Sequence, residues 1–241
     1  MATEPAPRRI SLTQWIFIGM GFGLLVGWLM PDVAGQLRPL STIFLRLIKS
    51  IIAPLIFATL VVGIAGHGNL RQVGRMGIKS LIYFEVVTTL ALFLGLLVVN
   101  VVQPGVWVEL KPAESAAEIV GAKQDLAEIL THIVPQNIID AAAKGEVLQI
   151  VIFTVIFSFA LAAIPAEKRQ VMLSFCESLA ETMFKFTGIV MRYAPIGVGA
   201  ALAVTVAHKG LGVLFNLGLL ILSLYAGLIL FVVFVLGGVA L

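Results

Sequence analysis

GLGVLFNLGLLILSLYAGLILFVVFVLGGVAL, Gly210 to Leu241, is a run of 32 residues without one charged side chain. In hydrocarbon a backbone of this kind is satisfied only as a helix, because helices and closed barrels alone leave no peptide group unpaired. The stretch therefore reads as membrane-buried. The sequence ends inside it with no polar tail to hold a helix end at an interface, so we expect the front part of a longer membrane protein.

The rest of the chain repeats this pattern. Of 241 residues, 60% are hydrophobic and 12% charged, where soluble domains carry roughly 25% charged residues. Mean hydropathy is +1.07. The net charge of +3 does not point to nucleic acid: the basic residues sit in short loops and no nucleic-acid motif is present. Cys176 is the single cysteine, which excludes an internal disulfide and a thiolate metal site. His67, His132 and His208 are far apart and never at helical spacing, so no metal site is expected. Arg8 and Arg9 precede an apolar run as in a signal peptide, but Pro31-Asp32-Val33-Ala34-Gly35 is a poor cleavage site.

A helix needs about 20 apolar residues to cross the hydrocarbon. On that measure the chain offers six spans, near 10–30, 43–65, 78–102, 147–164, 172–207 and 210–241, with an outer segment at 103–146. The fifth is too long for one straight crossing. Pro195 and Gly197 interrupt it, which predicts a kink. Lys/Arg bias in the connections sets direction. Segment 66–79 carries Arg71, Arg75 and Lys79 without an acid, and Lys168 and Arg169 follow the fourth span. Segment 103–146 holds seven acids and three lysines. The N-terminus is thus expected in the cytoplasm and 103–146 outside. Short helices are expected in 103–146, over 113–131 and 133–143. Three spans begin inside and three outside, the coarse pattern of an inverted repeat. The predicted fold class is all-α integral membrane, with six transmembrane helices as two inverted three-helix units.

Four strings then carry more than hydropathy. They are IKSIIAPLIFATLVVGIAGHGNLRQVGRMG (Ile48–Gly77), IYFEVVTTLALFLGLLVVNVVQPG (Ile82–Gly105), NIIDAAAKGEVLQIVIFTVIFSFAL (Asn137–Leu161) and LAETMFKFTGIVMRYAPIGVGAAL (Leu179–Leu202). In order and spacing they resemble the dicarboxylate/amino acid:cation symporter family, the glutamate-transporter-like proteins. The resemblance implies the first part of an elevator-type symporter fold, a homotrimer in the inner (plasma) membrane. It implies a scaffold of spans one, two, four and five, and a mobile transport domain containing spans three and six. The implied substrate is an acidic amino acid or C4-dicarboxylate, moved with H+ or Na+ and with no organic cofactor. Family members continue into a serine-rich hairpin, a broken helix with an Asn-Met-Asp-Gly-Thr string, a second hairpin and an eighth helix. None of these strings occurs here, so no substrate-binding residue is assigned. A non-transporting scaffold fragment is the alternative reading. An intramembrane enzyme finds no support: there is no Gly-x-Ser-Gly, no His-Glu-x-x-His and no pair of intramembrane aspartates.

Ion-coupling candidates lie in span three. Glu85 is the clearest intramembrane charge, and a charge near the bilayer centre costs about 2.5–3.5 kcal/mol on insertion scales. It reads as a proton-carrying carboxylate, or else as a group near the interface partnered by Lys79. Phe84, Thr88 and Thr89 match the part of the span where sodium-coupled members of the family build an ion site. There an aromatic is followed at +3 and +4 by hydroxyls. Here Phe84 is followed by Val87 and Thr88, so one hydroxyl is missing and proton coupling is favoured. The plain alternative is that each threonine hydroxyl bonds to a carbonyl one turn back. Arg46 and Lys49 read as snorkelling side chains. Glu177, Glu181, Lys185 and Arg192 read as a polar stripe with a favourable Glu181–Lys185 spacing. Asn100 and Asn216 read as interhelical hydrogen-bonding groups.

Overall fold

The computed structural model describes residues 11–66, 70–103 and 131–240. Its regular elements are all helical. Helix α1 (Leu12–Leu29) starts with a capping box. The Ser11 hydroxyl accepts from the Gln14 amide at 3.3 Å, and the Ser11 amide donates to the Gln14 carboxamide oxygen at 2.8 Å. A short α2 (Pro31–Gln36) turns the chain into α3 (Arg38–Ala65), and α4 (Leu70–Val102) follows. Helix α5 (Ile138–Lys144) is capped by Asn137 at its start and by left-handed Gly145 (φ 76°) at its end. Next come α6 (Val147–Ala163), α7 (Ala166–Met191), α8 (Ala194–Lys209) and α9 (Gly212–Leu230). A π-helical segment, Phe231–Leu236, and a last turn, α10 (Gly237–Ala240), end the described chain.

Among the described residues four stretches are long and apolar enough to cross a membrane: 12–29, 31–65, 74–102 and 214–236. Helices α7 and α8 pass the same test only together, bent by 51°, and α6 at 17 residues is apolar but short. The fifth span is therefore two helices. The break falls at Arg192–Tyr193, just ahead of Pro195 rather than at it, because proline fits the first turn of a helix where its missing N–H is not needed. Helix α3 also begins earlier than hydropathy suggested: Pro39 sits in its first turn, and Ser41 and Thr42 donate to the Arg38 carbonyl at 2.9 and 3.0 Å. Segment 113–130 lies outside the described residues, and of the expected 133–143 helix the later part forms α5, which begins five residues on, at Ile138, and ends one beyond, at Lys144.

Helix α3 is the hub, packed on α6, α7 and α8. Near its C-terminus Val61 and Ala65 meet Leu161, Ala162, Leu173 and Cys176, flanked by Phe57 and Phe157 with ring centroids 5.3 Å apart. Near its N-terminus the Leu40 carbonyl accepts from the Tyr193 hydroxyl at 3.4 Å, and Phe44 lies against Gly197. These two ends fix α7 antiparallel to α3. Two buried hydroxyls on α6 stay within their own helix: Thr154 donates to the Ile150 carbonyl and Ser158 to the Thr154 carbonyl, both at 2.6 Å.

Helix α1 is joined differently. Gly19, Gly23 and Gly27 form a stripe at intervals of four that lies on Pro195, Gly199 and Ala203 of α8. A Cβ on Gly23 would fall on the Gly199 carbonyl oxygen, and one on Gly27 would come within 2.5 Å of the Ala203 carbonyl oxygen. Main chain meets main chain. Such small-residue contacts suit lipid, where packing rather than the hydrophobic effect drives association. The other face of α1 presents Phe17, Phe22 and Trp28 at 61–68% exposure, a surface suited to hydrocarbon and not to water.

Helix α4 stands apart from this block. It pairs with α9 and the π-helical segment, while its contact with α3, like that of α9 with α8, is marginal.

Candidate functional site on helix α4

One face of α4 is committed to α9. Val87 and Val98 are buried, and Ala91 and Gly95 oppose Ser223 and Gly227 across an apolar cavity of about 530 Å³. The Ser223 hydroxyl is not available to that cavity as a free donor, since it bonds to the Leu220 carbonyl at 2.8 Å.

Toward the N-terminus of α4 from that seam lie the residues of the expected ion site, with Thr88 on the same face as Ala91 and Gly95, three and seven residues further on. Glu85, Thr88 and Thr89, spaced at +3 and +4, share one exposed patch. Phe84 is 62% exposed and touches Tyr83 edge to face, with centroids 5.8 Å apart. All four residues are thus gathered along one helix, but no other described element supplies a group to them. Glu85 makes no ion pair among the described residues, so Lys79 is not its partner. The threonines also depart from the plain reading. Thr59, Thr154, Thr182, Thr187 and Thr205 each donate to a carbonyl four residues back, whereas Thr88 and Thr89 form no side-chain hydrogen bond among the described residues. Their hydroxyls and the Glu85 carboxylate are free oxygen groups on one surface. Chemically, such a patch can carry a proton or supply part of the oxygen shell of a hard cation. It is half a site.

A second polar region lies before α6. His132, Asp140, Lys144, Glu146 and Gln149 surround a cavity of about 200 Å³. Lys144 donates to Asp140 at 2.6 Å and Gln149 to Glu146 at 2.6 Å. The Asp140 hydrogen bond and charge raise the Lys144 pKa above its ordinary value. No group of three metal-ligating side chains occurs among the described residues.

The model of the sodium:dicarboxylate symporter family matches residues 12–241. The chain belongs to this family. It is 39% identical over 238 residues to a C4-dicarboxylate transport protein of Solibacter usitatus (strain Ellin6076), covering 96% of this chain and 55% of that protein. It is 41% identical over 243 residues to a proton/sodium-glutamate symport protein of Geobacillus stearothermophilus, covering 97% and 58%. A C4-dicarboxylate transport protein of Bacillus subtilis (strain 168) is 40% identical over 227 residues, covering 92% and 54%. The chain therefore spans little more than half the length of these relatives. The sodium:dicarboxylate symporter family is one of membrane transporters that use coupling ions, not of enzymes.

Sequence reasoning passed over the glycine stripe of this member of the family. Its signal was present: Gly19, Gly23 and Gly27 repeat at every fourth residue, the spacing at which membrane helices approach closely.

Proposed function

We propose that this chain is the front part of a secondary active symporter that moves acidic amino acids or C4-dicarboxylates with protons or sodium ions. The observation that carries this reading is the match to relatives named for C4-dicarboxylate and glutamate transport along nearly the whole chain. In this reading the chain crosses the plasma membrane six times with its N-terminus in the cytoplasm. The crossings are α1, α2–α3, α4, α6, α7–α8 and α9 with the π-helical segment. Helices α1–α3 and α6–α8 are the scaffold of an elevator-type homotrimer, and α4 with α9 belongs to the moving part. The separate pairing of α4 with α9 supports that division.

Phe84, Glu85, Thr88 and Thr89 are this chain's share of the ion-coupling site. Glu85 carries the proton. The absence of any partner for Glu85, Thr88 or Thr89 among the described residues supports this assignment, because a carboxylate and two free hydroxyls on a membrane helix are costly unless something polar meets them. Substrate contacts belong to the part of the relatives that this chain does not span.

The test is uptake of labelled aspartate, glutamate, succinate and fumarate by proteoliposomes holding the protein at the length of its relatives. Accumulation driven by an imposed pH or sodium gradient is expected, and no uptake of any of the four acids refutes the reading. For the 241-residue chain alone, calorimetric titration is expected to give no saturable dicarboxylate binding.

A further inference from the structure

Helix α4 is longer than the hydrocarbon it is apolar enough to cross. Its 33 residues rise about 50 Å, whereas the hydrocarbon takes about 30 Å and each headgroup layer roughly 5–8 Å. Leu81 to Val102 alone cover about 32 Å. The turns before Leu81 therefore stand in the headgroup layer. Lys79 lies about 3 Å and Arg75 about 9 Å outside the hydrocarbon edge so placed. Arg71 precedes Arg75 by a further four residues.

Residues four apart share a helical face, so Arg75 and Lys79 stand one above the other. Ile78 and Ile82, each 62% exposed, continue that face toward the hydrocarbon. Every residue from 75 to 86 is exposed, so no described element packs on this part of α4. No acid occurs between Gly66 and Phe84. Glu85 is the first acid that follows, and no ion pair joins it to either cation among the described residues. Two long cationic side chains without a counter-charge thus stand at the depth of lipid phosphates. The forked donors of a guanidinium and the point charge of an ammonium both suit phosphate oxygens.

We propose that the first turns of α4 bind an anionic phospholipid, its headgroup phosphate on Arg75 and Lys79 and its acyl chain along Ile78 and Ile82. Lipid is the occupant because the two cations sit at the hydrocarbon edge with an apolar strip directly beneath them. A zwitterionic lipid brings a cation of its own beside the phosphate, so the pair selects lipids with net negative charge. Since α4 meets α3 only marginally, this contact holds the end of the helix at its depth.

A tryptophan on the same face, one turn deeper, reports on the site. Ile82→Trp is made with the three native tryptophans, Trp15, Trp28 and Trp107, replaced by phenylalanine, and the protein is reconstituted in vesicles. Brominated-chain phosphatidylglycerol is expected to quench this reporter with at least about fivefold preference over brominated phosphatidylcholine, the size expected for one basic side chain near a membrane surface. A reporter at the other end of the helix, Val101→Trp, is expected to show no preference. Arg75→Gln combined with Lys79→Gln is expected to abolish the preference at position 82 while both lipids still quench, and Arg75→Lys to retain most of it. Salt at about 1 M, which screens charges beyond about 3 Å, is expected to weaken it without any substitution, so the test holds even where the double variant does not insert. Equal quenching by the two lipids overturns the proposal, as does a preference that survives the double substitution and salt, or one as strong at Val101→Trp. Absence of quenching by either lipid overturns it too, because protein then covers this face. Loss of the preference to inorganic phosphate at constant ionic strength would assign the pair to a free anion instead. None of these readings depends on transport, so they stand or fall apart from the symporter assignment.

Discussion

Gly23 and Gly21 lie two residues apart on α1 and differ in what surrounds them. A Cβ at Gly23 has no space, because the Gly199 carbonyl occupies it, whereas a Cβ at Gly21 meets nothing within 4 Å. Gly23→Ala is expected to destabilise the protein by about 1–3 kcal/mol through overpacking, read as a fall in thermal unfolding temperature in detergent. Gly21→Ala should be neutral or slightly stabilising, since alanine is the better helix former. Equal effects of the two substitutions would contradict the backbone contact. Glu85 is the other residue whose role follows from its surroundings. If its carboxyl carries the coupled proton, Glu85→Gln should keep substrate binding in the protein of the relatives' length but abolish uptake driven by a pH gradient, leaving exchange across the membrane. Uptake with wild-type pH dependence would exclude Glu85. The sequence placed Glu85, Thr88 and Thr89 on one helical surface by spacing alone. It left open whether Lys79 meets Glu85 or the helix's own carbonyls meet the threonines, because both depend on side-chain conformations that composition does not encode.

Helix α7 carries polar groups along one side for most of its length. Gln170, Ser174, Glu177, Ser178, Glu181 and Lys185 are all exposed, and the favourable Glu181–Lys185 spacing forms no ion pair among the described residues. On the side toward α3 lie Leu173, Cys176 and Ala180, all buried. Cysteines placed at Glu177 and Glu181 in a Cys176→Ala background are expected to react with a water-soluble, membrane-impermeant maleimide. Native Cys176, with no exposed surface, should stay unlabelled until the protein is denatured. Protection of both introduced thiols would assign the stripe to a dry contact. The element scale also marks where hydropathy misleads. A long apolar window cannot distinguish one kinked helix from two helices, and the local chemistry of Tyr193-Ala194-Pro195 decides for two. The π-helical segment at Phe231–Leu236 left no trace in the sequence, since its residues are as apolar and as helix-compatible as those before it.

At the scale of the molecule, direction across the membrane is the property on which the proposed function rests. Lys144 in α5 and Lys168 in α7 are expected on opposite faces, outside and inside. An impermeant amine reagent applied to sealed right-side-out vesicles should label the first and spare the second. Labelling of both, or of Lys168 alone, would reverse or dissolve the proposed topology. The all-helical architecture was legible from composition and hydropathy, because a backbone in lipid has so few options. The grouping of helices was not, since no apolar pattern distinguishes a face that meets another helix from one that meets lipid.

The seam between α1 and α8 has one more implication. Helices that touch through side chains can slide by exchanging rotamers, each small step cheap. Where peptide rests on peptide at three successive turns there is nothing to exchange, so intermediate positions are blocked. The two helices must travel as one plate, and any conformational cycle of this protein has to place its moving joints elsewhere.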